Sequence, residues 1–219
     1  MDQTQAPLVD ALAKAEAHPP TGFGIPGHGH GSIIPSGLRR LVGAKAFKAD
    51  LVTTKGVEDR TESEHTLFRA QELAVDAWGA DLCRLVTGGS TQSLHTVMAA
   101  VARAGDTVLI AQNAHKAEWS YALAAGLDAV PLPVQIDHDY DIETCVAAET
   151  LDGALTAYPH AKAVVIVSPN YYGITSDIAA LSAIAHARGI PLIVDAAWGG
   201  AFAFSPPAVG RCAHARRGH

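Results

Sequence analysis

The sequence predicts an α/β protein built on a mostly parallel sheet, and three observations carry that prediction. Apolar runs of strand length recur at Leu82 to Val86, Thr107 to Ala111, Ala129 to Pro133, Ala163 to Val167 and Pro191 to Val194. Helix-length stretches separate them, at Thr91 to Arg103, Lys116 to Ala125, Glu143 to Tyr158 and Asp177 to Arg188. Strand, helix, strand at this spacing implies right-handed crossovers and a sheet covered on both faces. The third observation is composition. A chain of 219 residues with 48% hydrophobic and 17% charged residues can bury a sizeable core and is too apolar to stay disordered.

The elements follow in chain order. Ala6 to Ala17 is alanine-rich and amphipathic, and His18-Pro19-Pro20 stops a helix there by removing backbone donors. Thr21 to Gly37 holds Pro26, Pro35, His28, His30 and many glycines, which predicts a loop. Thr61-Glu62-Ser63-Glu64 is a capping-box pattern that opens a helix running through Trp78. The strand and helix alternation begins after it and runs to Val194. Cys83 falls in the first apolar run and is assigned to the core, and the three cysteines have no CxxC spacing that would suggest a zinc knot. Pro206 to His219 breaks the pattern with three arginines, two histidines and no acid. It reads as a disordered tail or as out-of-register translation.

Several function classes drop out. The net charge of -6, without a Lys/Arg cluster, gives no support for nucleic-acid binding. No apolar run approaches the ~20 residues of a membrane span. The opening residues lack a basic stretch followed by an apolar segment, so a cytoplasmic location is expected. His28 and His30 alone supply too few ligands for a structural zinc site, and no metal is expected.

In a parallel sheet, ligands gather outside the carboxyl ends of the strands. After Val86 comes Thr87-Gly88-Gly89-Ser90-Thr91-Gln92, leading into a helix. Free backbone N–H groups and hydroxyls there make an anion site, and equally an ordinary helix cap. After Ala111 comes Gln112-Asn113-Ala114-His115-Lys116, with His115 either a cap or a functional group. After Val167, Ser168-Pro169-Asn170-Tyr171-Tyr172-Gly173 has the chemistry of a turn. After Val194, Asp195 is a carboxylate at the end of an apolar strand, which is costly unless a cation, a metal or a helix end pairs with it.

As an ordered set, these motifs resemble the pyridoxal-phosphate-dependent ornithine/lysine/arginine decarboxylases, which have the aspartate-aminotransferase-like fold. Phe23 to Gly31 is similar to the family's PGHxxG loop, Ala114-His115-Lys116 to its [CA]HK motif, and Ser168 to Gly173 to its SPTYYG turn with Asn170 in place of Thr. The resemblance covers Phe23 to Phe204 and implies a three-layer, fold-type-I large domain. It implies that Gly89, Ser90 and Thr91 cup the phosphate and that His115 stacks on one face of the pyridine ring. Ala197 would pack on the other face, and Asp195 would pair with the protonated ring nitrogen. Trp198 would contact the cofactor or substrate. His115 and Asp195 are the catalytic residues so implied.

The same resemblance places the Schiff-base lysine in a Ser-x-His-Lys motif beyond the aspartate, whereas this sequence has no Lys after Lys162. It therefore implies an N-terminal part of the large domain in which decarboxylation of a basic amino acid is impaired. The alternatives are an aminotransferase or lyase of the same fold, or a non-catalytic fragment that binds pyridoxal phosphate or phosphate. The domain organisation that follows is an N-terminal helix (1–20), a Gly/His-rich loop region (21–61), a partial cofactor-binding domain (62–205) and a basic tail (206–219). An amino-acid substrate and a homodimer or higher homo-oligomer are the implied partners. An incomplete sheet would also expose a strand edge and promote association.

Overall fold

In β1 (Thr107–Ala111) and β5 (Ala163–Val167), residues alternate between the two sides of the sheet, and each side finds its own helices. The computed structural model describes residues 1–17, 24–51 and 65–204. Its residue contacts divide the chain into two units, Met1–Leu85 and Val86–His219.

In the first unit, α1 (Pro7–Ala17) packs with α4 (Thr66–Trp78). The N-terminal ammonium and the Gln3 amide both bond the Asp76 carboxylate, at 2.7 and 2.9 Å. The glycine-rich segment is not wholly a loop. A 3-10 turn at Gly29–Gly31 is followed by α2 (Ser36–Val42) and α3 (Ala44–Ala49). Gly43, at φ 84°, separates these two helices in a conformation that L side chains resist. Helix α4 ends at Trp78 as anticipated, with Gly79 in the left-handed region as its C-cap. The capping box at Thr61 to Glu64 and the tail from Pro206 lie outside the described residues.

The expected strand at Leu82 to Val86 is absent. Leu82, Leu85 and Val86 are exposed, and the Leu85 N–H is taken by the Gln71 side chain at 3.2 Å rather than by a neighbouring strand. Cys83 is accordingly a half-buried free thiol and not a core residue.

In the second unit, four parallel strands run in the order β2-β1-β5-β6, with β2 at Asp128–Leu132 and β6 at Leu192–Asp195. Helices α5 (Gly89–Val101) and α6 (Lys116–Ala125) cover one side, where Met98, Ala102 and Ala122 meet Val108, Ile110, Ala163 and Val165. Helices α7 (Ala148–Ala157) and α8 (Ile178–His186) cover the other, where Leu151, Leu155, Leu181 and Ala185 meet Leu109, Val164 and Ile166. The result is the three-layer, mostly parallel arrangement read from the alternation.

One helix is shorter than its pattern. Ile142–Glu143 forms β4, which pairs antiparallel with β3 (Ile136–Asp137), so α7 starts only at Ala148. The Asp137 carboxylate accepts the N–H groups of Asp139 and Tyr140, and Asp141 sits at φ 55°, which closes the hairpin.

Candidate functional site

The register of the sheet decides what meets at its carboxyl edge. Val167 of β5 pairs with Asp195 of β6, so the chain leaves both strands side by side. The segment after β5 is anchored at once: the Ser168 N–H bonds the Asp195 carbonyl at 3.0 Å, and the Ser168 hydroxyl accepts the Ser176 N–H at 3.1 Å. Asn170, 3% exposed, then holds the turn from inside. Its amide donates to the carbonyls of Glu143 and Thr144 and accepts the N–H groups of Tyr172 and Ile174, all at 3.0 Å. Asn170 thus serves the turn, and the Tyr171 beside it is exposed. At Gly199 a Cβ would come within 2.7 Å of the Pro169 ring. That close approach seats the loop after β6 against the turn, with the Tyr171 and Trp198 rings 5.5 Å apart.

These elements and the start of α5 enclose a cavity of about 220 Å³. Ser90, Thr91, His115, Asp195, Ala197 and Trp198, all anticipated from the sequence, line it. Gly89 does not line the cavity; it begins α5 with φ 68°, which turns the chain into the helix. Gly88 donates its N–H to the Gln92 side chain at 2.7 Å. The first N–H groups of α5 have no partner within the helix and carry its positive dipole end, so anionic groups are favoured there.

His115 is a helix cap that also borders the cavity. Its ring is half-buried, and its Nδ1 accepts the Ala117 N–H at 3.2 Å. That bond leaves the proton of the neutral ring on Nε2. Asp195 is 7% exposed, and its Oδ1 accepts the Ala197 N–H at 3.0 Å. Lys116 is exposed, and among the described residues no lysine lines the cavity.

Sequence reasoning missed five residues here, one of them Val167 at the end of β5, which lines the cavity. Asn113, on the loop after β1, lines the cavity while donating to the Thr144 carbonyl at 3.1 Å. Leu94 and Tyr171 also line it, and the helical and turn positions of both were in view. The last is Glu118 in the first turn of α6. It is completely buried, neither carboxyl oxygen has a hydrogen-bond donor, and the charge that acts on it is that of Asp195. Burial, opposed in part by its own backbone N–H and reinforced to a lesser degree by the neighbouring Asp195 carboxylate, pushes the Glu118 carboxyl up from 4.5 to about 7. An acid inside an alanine-rich helix gives no hint in the sequence that it points inward.

A helix N-terminus, an imidazole, a buried carboxylate and an exposed indole around one small cavity suit a phosphorylated, cationic aromatic ring. His28 lies in the other unit, where its ring bonds Asp50 at 3.1 Å and the Gly31 N–H at 3.2 Å. Among the described residues no group of three or more His, Cys, Asp or Glu is placed to hold a metal ion. No described helix is long and apolar enough to cross a membrane.

The chain is 30% identical to the arginine decarboxylase of Bacillus subtilis over 199 residues, which is 91% of this chain and 41% of that protein. It is 29% identical to the arginine decarboxylase of Halalkalibacterium halodurans, over 90% of this chain and 40% of that protein. The chain therefore spans about two fifths of the length of these curated relatives. Among solved structures, the lysine decarboxylase of Francisella novicida superposes with a TM-score of 0.75 at 21% identity, over 91% of this chain and 30% of that one. The constitutive lysine decarboxylase of E. coli gives 0.70 at 21% identity, over 94% and 30%. These two likenesses establish the fold, that of the fold-type-I pyridoxal-phosphate enzymes. Residues 6–217 match the family described as Orn/Lys/Arg decarboxylase, major domain, and the chain belongs to that family.

Proposed function

We propose that the cavity at the carboxyl edge of the sheet holds pyridoxal 5'-phosphate and serves the decarboxylation of a basic amino acid of the ornithine, lysine or arginine type. The observation that carries this reading is the meeting of the α5 N-terminus, His115 and the buried Asp195 in one cavity. Membership of the decarboxylase family and relatives named arginine decarboxylase support the substrate class.

When bound, the cofactor supplies an electron sink for the charge left as a carbon–carboxylate bond breaks. The chain's own residues do the rest. Ser90 and Thr91 bind the phosphate at the positive end of α5. His115 lies against one ring face and Ala197 against the other. Asp195 keeps the proton on the ring nitrogen, and its near-complete burial lets that charge act in a low dielectric. Trp198 and Tyr171 form the outer wall and limit access of water.

In this reading the 219 residues bind the cofactor but turn substrate over poorly, because no described lysine lines the cavity to act as nucleophile. Self-association as a homodimer or higher homo-oligomer belongs to the same proposal. Leu192, Ile193 and Val194 of β6, only half-buried, line a second cavity of about 410 Å³ that shares Ser90, Leu94, Asp195 and Ala197 with the first. A cytoplasmic location goes with it.

Adding pyridoxal phosphate to the chain tests the reading. The expected result is a saturable spectral change, no covalent label on any lysine after borohydride reduction, and little carbon dioxide from arginine, lysine or ornithine. A labelled lysine with steady carbon dioxide release would overturn the impairment. Absence of saturable binding would overturn the site.

A further inference from the structure

Glu118 occupies the third position of α6, with its N–H bonded to the His115 carbonyl at 3.2 Å. An acid in the first turn of a helix is ordinarily explained by the macrodipole, which favours an ionised carboxylate there. That explanation suits an exposed side chain, which keeps its water. Glu118 has none, since its exposure is 0% and neither oxygen meets a donor. An ionised carboxylate so placed would carry an uncompensated desolvation cost. The polar group facing it, Asp195, is another acceptor, so two ionised carboxylates would repel each other without a bond between them.

One proton resolves both problems. We infer that Glu118 is held as a neutral carboxylic acid that donates a hydrogen bond to the Asp195 carboxylate, which makes it a positioning residue for the ion pair between Asp195 and a bound pyridinium ring. The pair then carries a single negative charge and a single proton. Asp195 is fixed from two sides, by the Ala197 N–H on Oδ1 and by the Glu118 hydroxyl. These two bonds occupy lone pairs of the Asp195 carboxylate and hold it in one orientation toward the ring nitrogen of a bound cofactor. The upward displacement of the Glu118 carboxyl is consistent with this arrangement.

The other titratable groups around α6 are otherwise engaged or distant. His95 of α5 bonds the Ala117 carbonyl at 3.1 Å and lies 5.0 Å from the Tyr121 ring. His115 caps the helix, Lys116 is exposed, and Asp128 begins β2 at the amino edge of the sheet.

The part of this inference that concerns the ring rests on the proposed function, whereas the proton on Glu118 is a property of the chain itself. Two measurements separate them. In the chain labelled with ¹³C at glutamate carboxyls, the Glu118 resonance, identified by its loss in Glu118→Gln, should titrate near neutrality, well above the ~4.3 of an ordinary glutamate. In Asp195→Asn that titration should move to lower pH. An ordinary midpoint, or one indifferent to Asp195→Asn, refutes the pair. In a pyridoxal phosphate titration, Glu118→Gln, which keeps a donor, should bind within about twofold of wild type, and Glu118→Ala about tenfold more weakly with loss of the protonated-ring absorbance. Equal affinity and spectra for Gln and Ala variants, each shown folded by circular dichroism, refute the positioning role. A wild-type chain that binds no pyridoxal phosphate refutes the proposed function, and the carboxyl titration still decides the pair.

Discussion

The middle of the sheet and its carboxyl edge obey opposite rules, though only one or two residues separate them. In β5, Ala163 to Ile166 are fully buried, alternate cleanly between two helix layers and carry no polar side chain. At the edge, the end of β6 and the first turn of α6 bring Asp195 and Glu118, two carboxyl groups out of water with few donors between them. Close packing makes the first region stable, and the second carries the cost of carboxyl groups held out of water. Buried polar groups left unsatisfied in this way are a recognised mark of functional sites.

Mutation of the two regions should therefore give different kinds of loss. The largest effect belongs to the interior: Ile166→Ala should cost about 2–5 kcal/mol in urea unfolding, because it removes buried methyl groups and leaves a cavity. A cost below about 1 kcal/mol would mean that the middle of the sheet is not the tightly packed region described.

The edge should show itself through pH. Glu118 ionises at about 7 in the folded chain against 4.5 when exposed, so between those values the folded state holds more protons. Its contribution is full below pH 4.5 and declines as pH rises, reaching a total loss of at most about 3 kcal/mol above pH 7. Thermal unfolding of wild type should therefore fall across this window relative to Glu118→Gln, whose amide does not titrate. Parallel curves would erase the contrast between edge and interior.

Asn170 tests the border between the regions. Asn170→Ala removes four hydrogen bonds at a site 3% exposed and should cost about 1–3 kcal/mol, since buried backbone groups lose their partners. Trp198→Ala should have the smallest effect on stability, within about 0.5 kcal/mol, because its ring is 60% exposed. Its effect should appear instead as weaker pyridoxal phosphate binding, measured by fluorescence.

How far the sequence could be read follows the same division. The strands at β1 and β5 and the helix at α6 were legible because the sheet interior obeys periodicity, with Lys116–Ala125 matching the anticipated bounds. Leu82 to Val86 has the same composition as a strand but lacks a partner, and pairing is a tertiary fact that no local pattern records. The hairpin of β3 and β4 was hidden because strands of two residues are too short to show a period. In the cavity, the residues at strand ends were found because topology says where to look. Glu118 and Asn113 were not, since the inward direction of a helix residue and the second use of a loop amide depend on packing.

The most direct test of the account is a pyridoxal phosphate titration of wild type and Asp195→Ala, followed by fluorescence, with circular dichroism confirming that both are folded. The account predicts saturable binding by wild type and its loss in the variant, because the buried carboxylate is the partner of the ring nitrogen. Equal binding by the two chains would contradict it.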